Sequence, residues 1–191
     1  MPSPAFVRLG ILLLALPVLA ACATAAMPNH DPAPIDLPRF MGQWHVIAHV
    51  PYFAEKGDVA SIDEYTLRDD GKIAVRYHYQ KGFAQPRKTV DSRATVKAGT
   101  GNHDWTTWFF GVIPTKYRIL EVAPDYSWAL IGYPGRDLAW VFARAPVVDD
   151  ALYAQLLEKA RAHGVDTGKL KRVPQVAEQV GKPGFAAPDK P

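Results

Sequence analysis

Phe40-Met41-Gly42-Gln43-Trp44, answered late in the chain by Trp140-Val141-Phe142-Ala143-Arg144, decides the fold. Gly42 lets the backbone turn tightly into a strand. Two residues on, Trp44 lies on one face of that strand, placed to plug the end of a barrel. Arg144 on the last strand is expected to cover the indole with its planar guanidinium. Such a cation–π contact is worth about 0.5–2 kcal/mol. These three residues predict a closed barrel end.

Between the two runs the chain reads as short strands broken by turns. Eight are expected: Gly42 to Val50, Val59 to Leu67, Lys72 to Gln80, Thr89 to Ala98, Trp105 to Phe110, Lys116 to Val122, Trp128 to Tyr133 and Leu138 to Arg144. The third alternates most clearly, with Ile73, Val75, Tyr77 and Tyr79 on one face. Arg68-Asp69-Asp70-Gly71 before it is a hairpin turn, because Asp-Gly tolerates positive φ. Sequential strands with short links predict an all-β fold, an eight-stranded up-and-down antiparallel barrel. A flat meander is the alternative, but it leaves two edges unprotected. One helix follows, with Asp149 or Asp150 as N-cap and Gly164 as its stop. Tyr153, Leu156, Leu157 and Ala160 give it an apolar stripe, so it is expected to dock outside the barrel. Leu170 to Val173 is a candidate extra strand.

The ends carry a different message. Arg8 precedes a mostly apolar stretch, Leu9 to Leu19, too short for an ordinary transmembrane helix. It ends in Leu19-Ala20-Ala21-Cys22, which looks like a bacterial lipobox. Residues 1–21 are then a lipoprotein signal peptide, and Cys22 is the lipidation site. The alternative is an ordinary signal peptide with an incidental cysteine. Several acyl chains make a stable anchor, and Ala23, rather than an aspartate, favours the outer membrane with the domain facing the periplasm. Residues 22–38, rich in proline, read as a lipidated tether. Residues 39–175 form one domain, and residues 176–191 a flexible tail. Cys22 is the only cysteine, so no disulfide staples the barrel. The formal net charge of +3 is too small and dispersed to argue for nucleic acid.

The chain resembles the lipocalins, most closely the bacterial outer-membrane lipocalins related to apolipoprotein D. The resemblance covers roughly residues 36–175. It rests on Gly42-Gln43-Trp44 with Ile47-Ala48, on Tyr65 to Gly71, on Phe109-Phe110-Gly111, on Pro124-Asp125-Tyr126, and on Trp140 to Arg144 with Ala145-Pro146. His45 stands where the family usually has an aromatic residue. The resemblance implies a lipid-binding protein rather than an enzyme. Some relatives dimerise, so a homodimer is compatible with it.

Strand alternation then assigns the lining. With Trp44 inward, Val46, Ala48 and Val50 are expected inward too. Trp140 and Phe142 line the wall above Arg144, with Leu138 beyond them. Parity adds Tyr65, Val75, Tyr77, Tyr79, Ala94, Trp105, Phe109, Tyr117 and Ile119. This greasy, aromatic list suits the chain of a fatty acid or lysophospholipid, since each buried methylene contributes about 0.8 kcal/mol. Two acids intrude: Asp63 shares the parity of Tyr65, and Glu121 that of Ile119. A buried carboxylate is costly unless paired or protonated, and Arg93 or Lys116 are candidate partners. Asp63 is expected to discriminate against free fatty-acid carboxylates.

No catalytic or metal constellation is evident. His45 and His49 share a face on a regular strand, yet lie about 13 Å apart at 3.3 Å per residue. No HExxH, nucleophile elbow or phosphate-cradling loop occurs, and no cofactor is implied. Two other readings stay open: an enzyme acting on a lipid in the same cup, and a structural envelope module whose barrel is filled by its own side chains.

Overall fold

Alternation closes the sheet. The computed structural model describes residues 32–190. The signal peptide, Cys22 and the first part of the tether lie outside the described residues. β1 (Gly42–His49), β2 (Val59–Leu67), β3 (Ile73–Gln80), β4 (Lys88–Val96), β5 (Asp104–Phe109), β6 (Ile113–Val122), β7 (Trp128–Gly132) and β8 (Ala139–Ala143) pair antiparallel in chain order. β1 pairs with both β2 and β8, so the eight strands form a closed barrel. β6 begins earlier than expected, because Ile113 and Pro114 still pair with β5. A short β9 (Lys171–Arg172) adds to β1 where β2 has turned away. The hairpin at Arg68–Gly71 forms as read. Gly71 has φ +74, and the Asp70 carboxylate accepts the Lys72 N–H at 3.1 Å.

Two apolar clusters result. One fills the lower barrel, around Phe40, Trp44, Tyr65, Trp105, Ile119 and Phe142. The other lies outside the wall, between β1, β7, β8 and the helix α2 (Asp150–Ala162). Asp149 is the N-cap of α2, its carboxylate accepting the Leu152 N–H at 2.7 Å. Leu156 and Ala160 are buried against the barrel, and Gly164 ends the helix with φ +81.

Two β-bulges correct the expected lining. The β1–β8 register shifts between Val46 and Ala48. The extra residue, Ile47, reverses the faces after it. Ala48 and Val50, expected inside, therefore pack in the cluster beneath α2. His49 turns inward instead, while His45 reaches the Gln175 side chain at 3.2 Å. The two histidines thus do not share a face. A second shift falls between Ile119 and Glu121. It sends Glu121, expected inside, to the outer wall, where Lys159 and His163 of the helix end hold it at 2.6 and 3.0 Å. Burial pushes the Glu121 carboxyl up, but the hydrogen bonds from Lys159 and His163 outweigh it and hold it below its usual value. Leu138 also packs on the helix side.

Both termini of the domain are more ordered than their composition suggests. Ile35, assigned to the tether, is buried, and its N–H donates to the Gly101 carbonyl at 2.8 Å. The short helix α1 (Leu37–Phe40) then carries Phe40 into the core. Residues 176–190, expected as a loose tail, pack back on the barrel. The Arg172 guanidinium sits between the Tyr153 and Phe185 rings at 4.7 and 4.3 Å, and the Asp189 N–H donates to the Gly57 carbonyl.

Candidate functional site

The closed end is built from three residues. The Arg144 guanidinium lies 3.7 Å from the Trp44 ring centroid. Its Nη1 donates to the Gln43 carbonyl at 2.7 Å, and Nη2 to the carbonyls of Arg39 and Met41, both at 2.9 Å. The Trp44 indole N–H donates to the Phe40 carbonyl at 2.8 Å. α1 is thereby strapped across the barrel floor. Gly42 enters β1 with φ +91, and a Cβ there would meet Arg144 Nη1 at 3.4 Å. Gly42→Ala is expected to cost about 1–3 kcal/mol of stability, the usual strain of a non-glycine residue in this region. A urea titration of both chains measures it.

Above the floor the interior changes character. Val46, Tyr65, Val75, Ala94, Trp105, Ile119 and Phe142 are buried. Tyr65, Trp105 and Phe40 interlock edge-on or tilted at centroid distances of 5.5–5.6 Å, and Tyr117 stacks on Trp105 at 5.0 Å. Higher up, Asp63, Tyr77, Tyr79, Phe109, Tyr117 and Trp140 occupy the inward face by register but keep accessible surface. These six are surrounded by the barrel without being fully covered by it.

Three carboxylates face this interior, Asp63 midway along β2 and Glu55 and Asp58 toward the open end. Asp63 pairs across the ladders with Trp44 and Tyr77. The Tyr65 hydroxyl stands beside it and donates to the Tyr117 hydroxyl at 3.1 Å. Burial, and then the neighbouring Glu55 charge, push the Asp63 carboxyl up to about 8. Burial likewise raises Tyr65, Tyr77 and Tyr117 well above the usual phenol value. Glu55, from the β1–β2 loop, is a hub. It accepts the Trp140 indole N–H at 2.8 Å and the Tyr52 hydroxyl at 2.9 Å, and meets His49 Nδ1 at 3.0 Å. Asp58 pairs with Lys81 at 2.7 Å and accepts the Tyr77 hydroxyl at 3.0 Å. Neither Arg93 nor Lys116 takes the partner role expected of it. Arg93 instead reaches the Gly111 carbonyl.

Sequence reasoning missed Tyr52, Glu55, Asp58, Lys81 and the inward turn of His49. A bulge at the start of β2, where Ala60 adopts φ +50, also brings the Ser61 hydroxyl to 3.1 Å from that of Tyr77. The β1–β2 and β5–β6 connections rim this same open end. They bear Phe53 and Phe110, 93% and 78% exposed, and exposed Val112 and Ile113. Two depressions on the outer wall, one over Glu64, Arg76 and Asp91 and one beside Arg118 and His163, lie outside this interior.

A closed barrel with an indole stopper, an external helix and an aromatic interior defines a lipocalin. The chain belongs to that family: residues 35–175 match the Lipocalin-like domain. Over 148 residues it is 32% identical to temperature-induced lipocalin-1 of Arabidopsis thaliana, covering 74% of this chain and 80% of that protein. Over 181 residues it is 29% identical to the outer membrane lipoprotein Blc of Escherichia coli K12, covering 84% of this chain and 97% of the relative. Insecticyanin from the tobacco hornworm shares the fold, with a TM-score of 0.59 at 18% identity over 82% of this chain and 91% of its own. Lobster apocrustacyanin A1 does so too, with a TM-score of 0.59 at 14% identity over 75% of this chain and 81% of its own. The family binds small hydrophobic ligands and consists generally of binding and transport proteins.

Proposed function

We propose that this lipocalin is anchored in the outer membrane through acylated Cys22, faces the periplasm, and sequesters or carries fatty acids or lysophospholipids in its barrel. The incompletely covered aromatic wall above a sealed floor carries the reading. Such a wall offers an acyl chain rings to displace water from, and the floor keeps the chain from passing through. The apolar rim gives the chain a path of low desolvation cost. The outer membrane lipoproteins among the relatives support the address.

The test is a titration of the full chain carrying Cys22→Ala with saturated acyl lipids of increasing length. One ligand per barrel is expected. The affinity gain is about fourfold per added carbon, corresponding to about 0.8 kcal/mol per methylene, until the chain outgrows the cup. Affinity indifferent to chain length would overturn the reading, and chemical turnover of the lipid would point to an enzyme. Native mass spectrometry of protein extracted gently from membranes reads the acylation of Cys22, the oligomeric state and any co-purifying lipid.

A further inference from the structure

The charge inside the upper barrel does not balance. Glu55 and Asp58 are engaged, by Trp140, Tyr52 and His49 in one case and by Lys81 and Tyr77 in the other. Asp63 is the acid left over. It meets a tyrosine hydroxyl, and no cation stands against it among the described residues. It is nonetheless not fully covered, and its register turns it to the inward face. Beside it stand the ring of Tyr77, its ladder neighbour on β3, and the Tyr65 and Tyr117 hydroxyls; Trp44, its neighbour on β1, is buried with its face taken by Arg144. A carboxylate beside aromatic faces is the chemistry that recognises a cationic nitrogen, by charge and by cation–π attraction.

We propose that the interior selects amphiphiles whose head group is a cationic nitrogen, with Asp63 as counter-ion and the surrounding rings as its cage. This rests on the reading of the barrel as an acyl-chain pocket and narrows the head group it takes. The ligand enters head first. The bulge at Ala60 takes up one residue, so Asp63 lies three residues of the facing strand, Tyr77 to Gln80, below the open end, about 10 Å at 3.3 Å per residue, and a medium chain extends from the charge to the apolar rim. A lysophospholipid meets the requirement when its ammonium, rather than its phosphate, reaches Asp63. An anionic head group would face Glu55, Asp58 and Asp63 with Lys81 and His49 as the nearby basic groups.

The experiment compares three ligands of one chain length: dodecyltrimethylammonium, dodecanol and dodecanoate. Each is titrated below its micelle concentration into the full chain carrying Cys22→Ala, at pH 6.5 and 8.5. The quaternary nitrogen has no titration of its own. Its affinity is expected to rise about 25-fold between these values, because the competent state is the one with Asp63 ionised. Dodecanol stays level and dodecanoate weakens. His49, Glu55, Asp58 and Lys81, which face the same space, act on all three ligands, so the comparison isolates the head group. Binding of the cation at pH 6.5 releases a proton, read as a buffer-dependent calorimetric heat in the unmutated barrel. Asp63→Asn abolishes both the rise and the release. Binding of dodecanol without preference for the cation overturns this inference and leaves the acyl-pocket reading standing. A cation preference that survives Asp63→Asn overturns the role of Asp63. Failure of all three ligands to bind overturns both readings.

Discussion

Trp44→Ala is expected to cost about 3–5 kcal/mol, the usual range for deleting a large buried aromatic side chain. The indole is fully buried. It packs against Phe40 at 5.0 Å and Phe142 at 6.5 Å between ring centroids, so its removal opens a void walled by aromatic rings that do not collapse. Two further losses follow. The Arg144 guanidinium loses the face on which it lies, and the Phe40 carbonyl loses the indole N–H. The carbonyl is not orphaned, because Arg144 Nη2 also reaches it at 3.2 Å. Trp44→Phe, which keeps a ring beneath the guanidinium, should therefore cost less than half as much. With native stabilities of roughly 5–15 kcal/mol, the alanine variant loses about a fifth or more of the total. Urea unfolding followed by circular dichroism gives both values. An alanine variant within 1 kcal/mol of the parent would mean that the floor is not held by this stack.

How much of this was legible before any coordinates depends on the range of the signal. Period-two alternation is written into single strands, so Ile73 to Tyr79 could be assigned to the interior directly. The turn at Asp70-Gly71 is equally local, as is the glycine two residues before Trp44. The bulges at Ile47 and Leu120 are not local. Each depends on how two strands accommodate one extra residue, and the sequence of one strand does not report its partner's register. Ala48, Val50 and Glu121 were accordingly placed on the wrong face by one step of parity, and His49 was missed. The β1–β2 loop was opaque for a related reason. Glu55 has no periodicity to expose it, and its partners Trp140 and His49 become neighbours only when the barrel closes. Composition misled in the tail, where Gly, Pro and Lys suggest looseness. Its order comes from backbone pairing with Arg172 and from the rings on either side of that guanidinium.

Asp63→Asn is expected to stabilise the ligand-free barrel at alkaline pH and to leave it unchanged in acid. An aspartate in the unfolded chain titrates at about 3.9, whereas burial and the Glu55 charge raise Asp63 in the folded barrel to about 8. Between those values the native state holds a proton that the unfolded chain has released. Unfolding free energy therefore falls as pH rises from about 4 to about 8, and the penalty is complete above that. At about 1.4 kcal/mol per unit the ceiling is on the order of 5 kcal/mol. Asparagine has no charge to desolvate and keeps an oxygen beside the Tyr65 hydroxyl. The two chains should thus unfold together at pH 4 and separate progressively to pH 8, the variant surviving to higher urea. His49, Glu55, Asp58 and Lys81 are present in both proteins, so their contributions largely cancel in the difference. Parallel curves from pH 4 to 9 would show that Asp63 ionises freely in the folded state. A gap that opens on schedule, and closes when dodecyltrimethylammonium is added to the parent, would show that the stability forgone at Asp63 is recovered when a cationic ligand takes its place beside the carboxylate.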